Sequence, residues 1–373
     1  MRADRGAAAP GDKLGGAEEW MNDQRGRREF LIKAAGIAAL GAAAQVAPFV
    51  NRRALAQGGT GITGSVPVAP PMGTQLVLLG TQGGPNVNLK RSQNASAVVV
   101  DGRPYLIDCG YGTVRSLVAS GVGLQQVGSV FLTHLHDDHT SDLPALLTQQ
   151  WTGSKATPTT VHGPYGTAAL IEAAVAFLKA NAEIRITDEG RTTRPEALYK
   201  GQDITATAKP APAFSDDRVK VSTVENAHFP ERAKANMRYR SLSYRIDTPT
   251  RSIVISGDTA YSPGLVELAR GVDVFVCEVI DLSIYNNLMA QAKAAEAKGI
   301  VNSVPKHVVE THSTTVDVGR MAAEARVKTL VLSHLLPGSN RNATQEFPDT
   351  AYIEGVRQHF SGQVIIGRDE MVL

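Results

Sequence analysis

The sequence predicts an α/β protein with two β-sheets whose outer faces are covered by helices. Apolar, β-branched runs of four to eight residues recur between turn residues, and runs of this kind favour strands. Segments with helical spacing lie between several of these runs. Strands come first in groups and later alternate with helices, which favours two sheets over one doubly wound sheet.

The predicted strands are ten runs that begin shortly after a Gly- and Pro-rich segment. They cover residues 75–80, 96–102, 104–110, 127–134, 219–228, 241–247, 251–258, 272–279, 327–334 and 362–367. The predicted helices cover residues 112–120, 141–150, 166–180, 262–270, 285–298 and 315–326. The 373 residues, 43% of them hydrophobic, suffice for a substantial core.

The N-terminus carries an export pattern. Arg27 and Arg28 precede an apolar run from Phe30, and Ala54-Leu55-Ala56 offers a small-x-small cleavage site. The arginine pair resembles a twin-arginine signal, which implies contact with that export machinery, transport of a folded protein and a periplasmic or secreted location without a stable membrane anchor. An amphipathic or membrane-anchoring helix is the alternative. Met21 is a second candidate start codon.

The sequence thus predicts a leader over 1–56, a flexible linker over 57–73 and one folded domain over 74–373. The leader holds nine of the 38 Lys and Arg residues and six of the 36 Asp and Glu residues, which leaves 29 and 30 and a net charge of about −1. No basic field remains to indicate a nucleic-acid partner. The two cysteines, Cys109 and Cys277, form either a disulfide or two buried thiols. Neither cysteine has a CxxC partner.

The segment FLTHLHDDHTSDLP, residues 131–144, follows a predicted strand and is rich in metal-binding side chains. Alternation sends His134 and His136 to one side, and Asp138 and His139 follow before the next helix. Imidazole nitrogens with a carboxylate suit Zn²⁺ or a similar ion, and they exceed the needs of one tetrahedral site. A second metal is therefore expected. Asp137 is expected to face solvent.

Further polar residues stand where other apolar runs end. His228, Asp258 and His334 each follow or close a predicted strand. Sites in α/β proteins gather at the carboxyl ends of strands, so we expect these side chains to meet the cluster of residues 134–139.

The motifs THLHDDHTSDLP, SGDT and HSTTVDVGRMAAEARVKTLVLSHLLP resemble the metallo-β-lactamase superfamily, especially its ribonuclease Z and zinc arylsulfatase branches. The resemblance extends over nearly all of residues 74–373 and implies a four-layer αβ/βα sandwich with two metals in a cleft at the sheet edges. By position, it implies His134, His136 and His228 as ligands of one metal. It likewise implies Asp138, His139 and His334 as ligands of the second, with Asp258 bridging the two.

Two residues beside the implied ligands, Asp108 and His312, have two interpretations each. Asp108 is expected to orient a ligand histidine, or else to cap the turn after it. The resemblance gives His312 the role of proton donor or stabiliser of the transition state, and we count it with Asp138 as catalytic. The alternative is that His312 only neighbours a helix N-cap. Glu278 and Glu310 are both candidates for orienting His312.

The predicted function is hydrolysis of a small anionic ester, a phosphodiester or an aryl sulfate, by a hydroxide that bridges two divalent ions. Zinc is expected, with manganese and iron as alternatives. A lactonase or β-lactamase-type acyl hydrolase is one alternative function, and a non-catalytic periplasmic metal-binding protein is another. A nucleic-acid substrate is not expected, because the chain carries an export signal and a mature charge of about −1, and no long Gly- and basic-rich arm lies between His139 and His228.

The related enzymes often form dimers, so the resemblance also allows a homodimer. His162, His307 and His359 have no predicted role.

Overall fold

The structure, a computed structural model, describes residues 73–294, 304–339 and 346–373. The predicted leader and all of the predicted linker except Gly73 lie outside these residues. No helix in the described ranges combines the length and the apolar composition needed to cross a bilayer.

Fourteen strands make up two sheets within the described residues. The strands are β1 (Thr74–Gly80), β2 (Ala95–Val100), β3 (Arg103–Ile107), β4 (Ser129–Phe131), β5 (Thr159–Gly163), β6 (Tyr199–Asp203), β7 (Ala211–Ser215), β8 (Lys220–Glu225), β9 (Leu242–Asp247), β10 (Ser252–Ile255), β11 (Val274–Ile280), β12 (Thr329–Leu336), β13 (Gln363–Ile366) and β14 (Met371–Val372). The first sheet has the order β14-β1-β2-β3-β4-β5-β6, and the second has the order β13-β12-β11-β10-β9-β8-β7.

In the part of the chain that the structure describes, ten α-helices connect these strands. They are α1 (Thr113–Ala119), α2 (Asp137–Thr140), α3 (Leu143–Thr152), α4 (Thr167–Glu189), α5 (Glu231–Lys234), α6 (Pro263–Leu268), α7 (Leu282–Ala294), α8 (Val304–Thr311), α9 (Thr315–Ala325) and α10 (Asp349–Val356).

Three apolar clusters define the layers. The central cluster lies between the sheets and includes Phe131 from the first sheet and Tyr244 from the second, both fully buried. A second cluster packs α1, α3 and α4 on the outer face of the first sheet. A third packs α6, α9 and α10 on the outer face of the second. The predicted four-layer αβ/βα sandwich is confirmed.

All ten predicted strands are present, but β5, β6, β7 and β14 are additional. β6 and β7 are the terminal strands of their sheets and contain largely polar or small residues, YKGQD and APAFS, so neither shows an apolar run. The helix predicted over residues 166–180 continues to Glu189 as α4. The Arg185–Glu189 pair, one turn apart, supports its polar end, and Gly190 ends it in the left-handed conformation.

Cys109 and Cys277 are buried free thiols. Of the two alternatives for these residues, the pair of buried thiols is therefore the one present.

Candidate metal centre

The polar strand ends of the two sheets converge at one edge of the sandwich. His134 and the short helix α2 follow β4 of the first sheet, whereas His228 and Asp258 follow β8 and β10 of the second and His334 lies in β12. The seven side chains form two groups, in each of which all donor atoms lie within 4.8 Å of one another. Each group draws on both sheets.

The first group contains three imidazoles: His134, His136 and His228. His136 Nδ1 lies 2.9 Å from His134 Nε2 and 3.2 Å from His228 Nε2. Nitrogens bound to one zinc ion at about 2.1 Å in a tetrahedral site lie roughly 3.4 Å apart. The three rings therefore converge as ligands of one ion do.

The second group contains Asp138, His139, His334 and Asp258, all buried. His334 Nε2 lies 3.3 Å from Asp138 Oδ2 and 3.0 Å from Asp258 Oδ1. His139 Nε2 lies 3.2 Å from Asp258 Oδ1. Two carboxylates and two imidazoles thus face a common point.

Asp258 belongs to both groups through its two oxygens. Oδ1 faces His139 and His334, whereas Oδ2 lies 3.9 Å from His134 Nε2 in the first group. Buried polar atoms normally make hydrogen bonds, yet Asp258 Oδ1 and His139 Nε2 make none. Oxygen and nitrogen donors that face a common point suit a divalent cation, so the residues fit a metal.

Outer hydrogen bonds fix the rings of three histidines. His139 Nδ1 donates to Asp108 Oδ2 at 2.8 Å, and Asp108 also accepts from the backbone N–H of Thr133 at 2.7 Å. His228 Nδ1 lies 3.3 Å from the carbonyl oxygen of Thr311, and His134 Nδ1 lies 3.2 Å from Thr133 Oγ1. The contact with Asp108 leaves Nε2 of His139 facing the centre, which is the arrangement that orients a metal-binding histidine.

The charges match the chemistry of a cation site. Burial lowers the pKa of His134 and of His228 well below the usual value, so both rings are neutral donors. Burial opposes the charge on Asp258, but the imidazoles of His334 and His139 outweigh it and hold its pKa well below the usual range. For His139, burial is likewise outweighed, by the surrounding carboxylates, and its pKa is raised. A bound cation competes with that proton.

His312 lies beside both groups. One of its ring nitrogens lies within 4.8 Å of donor atoms of His228 and Asp258, and its Nδ1 donates to Glu278 Oε2 at 2.8 Å. Glu310, the other candidate partner, instead pairs with Arg232 at 2.5 Å. Burial disfavours the charged ring of His312, but Glu278 raises its pKa to about 9. The N-cap of α9 is Thr314, so His312 neighbours a helix N-cap, as the alternative interpretation expects, and also lies beside the donor groups.

The backbone departs from ordinary geometry at two site residues. Asp108 and His334 have φ of 59° and 45°, a left-handed conformation that costs a non-glycine residue roughly 1–2 kcal/mol. Between β11 and β12, Glu278 pairs with Ser333 and Val279 with Leu335, so His334 is an extra residue in the strand. Such a bulge redirects a side chain, here into the cleft.

Gly83 makes room for the same histidine. A Cβ on Gly83 would lie 2.7 Å from His334 Nδ1 and 2.8 Å from the His334 carbonyl oxygen. Any larger residue would displace the ring.

Sequence reasoning missed two residues at the centre. The ring of Phe229 lies 4.8 Å from that of His228 and 5.6 Å from that of His136. The ring of His307 lies 5.6 Å from that of His228. His307 lies one helical turn before Thr311 on α8, and recognising that helix would have placed it near Thr311, whose carbonyl oxygen contacts His228. His162 is buried elsewhere, stacked on Phe131.

A family model described as the Beta-lactamase superfamily domain matches residues 103–335. The ribonuclease Z of Mycobacterium bovis is 28% identical over 302 residues, which are 79% of this chain and 96% of that protein. The ribonuclease Z of Mycolicibacterium gilvum is 27% identical over 266 residues, 70% of this chain and 84% of its own length.

Two solved structures share the fold. The short form of human tRNase Z has a TM-score of 0.54 at 22% identity and covers 80% of this chain and 98% of its own. The metallo-β-lactamase fold protein YhfI from Bacillus subtilis has a TM-score of 0.54 at 17% identity, with the same coverage.

These relatives contradict one expectation. Nucleic acid was excluded as a partner on charge and on the lack of an arm, yet the relatives that match most of the chain are ribonucleases by name. The physical reason is that net charge averages over a whole chain, whereas a phosphate responds to the local field of the site. The exclusion is therefore wrong.

Proposed function

Because the chain belongs to the metallo-β-lactamase superfamily, we propose that it is a hydrolase that cleaves phosphodiester bonds at a centre of two divalent metal ions, with zinc as the resident metal. One observation carries the proposal. The two donor groups share Asp258, whose oxygens face opposite groups. A shared carboxylate is the feature that distinguishes a two-metal centre from two separate sites.

The seven predicted ligands divide between two ions in this proposal. His134, His136 and His228 would hold one ion, and Asp138, His139 and His334 would hold the other, with Asp258 common to both. Two neighbouring divalent ions lower the pKa of water and withdraw electron density from ester oxygens.

The surrounding residues orient the substrate and handle protons. His312 presents its free nitrogen to the centre while Glu278 holds the opposite nitrogen. From this position His312 can donate a proton to the leaving oxygen or a hydrogen bond to a non-bridging oxygen. Asp108 keeps His139 in the tautomer whose Nε2 faces the centre.

Two observations support a phosphodiester as the substrate. Seven ligands with two carboxylates leave two divalent ions with a net charge of about +2, which attracts an anionic ester. The relatives that match most of the chain are named as ribonucleases, so RNA belongs among the candidate substrates.

We also propose that the protein is exported by the twin-arginine route and acts in the periplasm or outside the cell. The support is the sequence pattern around Arg27 and Arg28. Replacing both arginines with lysine should trap the protein in the cytoplasm, as judged by fractionation. Export of the double variant at the parent level would refute this route.

One comparative experiment tests the activity. Purified protein should contain about two equivalents of zinc, manganese or iron, measured by mass spectrometry of the metal. We expect hydrolysis of methyl p-nitrophenyl phosphate and of a short oligoribonucleotide, compared by kcat/KM with p-nitrophenyl sulfate, a homoserine lactone and a cephalosporin. Faster cleavage of the sulfate, lactone or cephalosporin would replace the phosphodiester assignment, and metal content near zero would refute the centre.

A further inference from the structure

An exposed group of aromatic and cationic side chains lies beside the metal centre. Tyr165 and Tyr239 have ring centroids 5.8 Å apart and are 37% and 49% exposed. The guanidinium carbon of Arg238 lies 3.8 Å from the ring centroid of Tyr165. We call Tyr165, Arg238 and Tyr239 the aromatic platform.

The aromatic platform adjoins the metal-binding strand end. A Cβ on Gly166 would lie 2.9 Å from Tyr239 Cε1 and 3.1 Å from Leu135 Cδ1, so both side chains border the same glycine. Leu135 is the residue between His134 and His136. The ring of Tyr239 therefore lies close to the residue that separates two candidate metal ligands in the chain.

Two platform residues, Arg238 and Tyr239, belong to a basic segment, residues 229–240, which lies between His228 and β9. The segment contains four Lys and Arg residues and one Glu, a net charge of +3. Three of its cations have carboxylate partners: Arg232 pairs with Glu310, and Lys234 and Arg240 both face Glu225. Among the described residues Arg238 has no carboxylate partner, and its contact is with Tyr165.

We propose that the aromatic platform binds a nucleobase that flanks the scissile phosphate, with Arg238 contacting the adjacent phosphate. Bases of single-stranded nucleic acids stack on tyrosine rings and on arginine guanidinium planes, and an unpaired arginine adds attraction for the backbone. The inference rests on the proposed phosphodiesterase function and assigns its substrate class as single-stranded nucleic acid. The chain has no long basic arm between His139 and His228, and in this proposal the basic segment directly after His228 contacts the nucleic acid.

Binding is best tested on the metal-loaded full-length protein with probes that are not cleaved. We would measure by fluorescence anisotropy the affinity for a labelled, phosphorothioate-linked deoxyadenosine decamer and for an abasic decamer with the same backbone. The decamer with bases should bind about tenfold more tightly, because stacking contributes roughly 1–3 kcal/mol per base. Equal affinities for the two probes would overturn the proposal.

Substitutions in the aromatic platform test whether base-dependent binding takes place there. Tyr239→Leu and Arg238→Gln should each weaken binding of the base-containing decamer by about five- to tenfold, whereas Tyr239→Phe should retain the parent affinity because its ring still stacks. Arg320→Gln is a matched control, since Arg320 lies over Tyr261 at 4.6 Å in a comparable pair. Affinity that is unchanged in Tyr239→Leu and Arg238→Gln, or that falls equally in Arg320→Gln, would refute the assignment.

The two proposals can fail separately. Base-dependent binding by a parent protein that does not hydrolyse methyl p-nitrophenyl phosphate would support the platform and refute the phosphodiesterase. Hydrolysis of that diester without base-dependent binding would refute the platform alone.

Discussion

His312 Nδ1 donates a hydrogen bond to Glu278 Oε2 at 2.8 Å, and both side chains are buried beside the candidate metal centre. Because this bond occupies one ring nitrogen, the ring cannot rotate freely, and its second nitrogen is directed to His228 and Asp258.

His312→Ala should retain both metal ions and lower kcat on a phosphodiester by about 10²–10⁴, the usual contribution of a general acid. Glu278→Gln should give a smaller loss, since its amide oxygen can still accept the bond from Nδ1. Metal content and kcat measured on the same preparations check this. Loss of metal from His312→Ala would make the residue structural.

Asp258→Ala should lose metal and activity together, because its carboxylate serves both donor groups. Metal content after dialysis measures the effect, with circular dichroism as the test of folding. Asp188→Ala, at an exposed carboxylate on α4, is the control and should keep about two ions. If Asp258→Ala retained two ions, the bridging role would be excluded.

Asp108→Ala should weaken metal binding by about 10–100-fold, because His139 loses the acceptor that fixes its tautomer. Titration of the metal-free protein with zinc against a competing chelator measures this affinity. Asp137→Ala removes a neighbouring carboxylate that is exposed, as the sequence predicts, and should bind zinc as the parent does. Equal affinity in Asp108→Ala and the parent would reduce Asp108 to a turn residue.

Gly83→Ala should reduce the metal content from about two ions to about one, because its methyl group would meet the ring of His334, a donor in only one group. Metal analysis checks the stoichiometry. Gly128→Ala is the control, since a Cβ there would lie 3.8 Å from the nearest heavy atom, an oxygen of Pro158. Two ions in Gly83→Ala would show that the ring can shift without losing its ion.

His162→Phe should remove the part of the pH dependence of the free energy of unfolding that arises from protonation of His162. Burial lowers the pKa of His162 to about 4, and neither ring nitrogen has a hydrogen-bond partner. The unfolded chain therefore takes up the proton near pH 6.5 while the folded protein does not. Stability is then lost as the pH falls from 6.5 towards 4, by roughly 2 kcal/mol at pH 5.

Urea unfolding of the parent and of His162→Phe at pH 7.5 and pH 5 measures the difference. The phenyl ring can replace the imidazole against Phe131, whose ring centroid is 5.1 Å away. His359→Phe, at an exposed position, is the control. The prediction fails if the difference in the free energy of unfolding between His162→Phe and the parent is the same at both pH values.

Sequence patterns predict that several candidate ligand side chains lie near one another, and the structure brings these side chains together. Strand alternation and the convergence of strand ends place His134, His228 and Asp258 at one edge, because a sheet fixes where each strand stops. These rules depend on the local pattern of apolar and polar residues, which can be recognised directly in the sequence. The edge strands β6 and β7 lack that pattern, since a terminal strand needs no continuous apolar run.

Hydrogen-bond partners that depend on tertiary packing could not be predicted from the sequence. Glu278, which is 34 residues before His312 in the chain, contacts its ring, whereas the nearby Glu310 pairs with Arg232. Asp142 is the N-cap residue of α3, yet its side chain makes no cap hydrogen bond to that helix. Its carboxylate instead accepts bonds from the backbone N–H groups of Gly112 and Val114, at the start of α1. Gly112 is 30 positions from Asp142, and sequence spacing alone does not predict a hydrogen bond between residues so far apart.

Each donor group takes residues from both sheets, so an ion bound there would tie the halves of the sandwich together. His134 and His136 follow a strand of the first sheet, and His228 follows a strand of the second. Neither donor group is complete until the two sheets have docked. A metal ion would therefore bind only after the two sheets have packed together. By linkage, free metal at 100 times its Kd would raise the free energy of unfolding by about 2.7 kcal/mol. A chelator would then act as a denaturant.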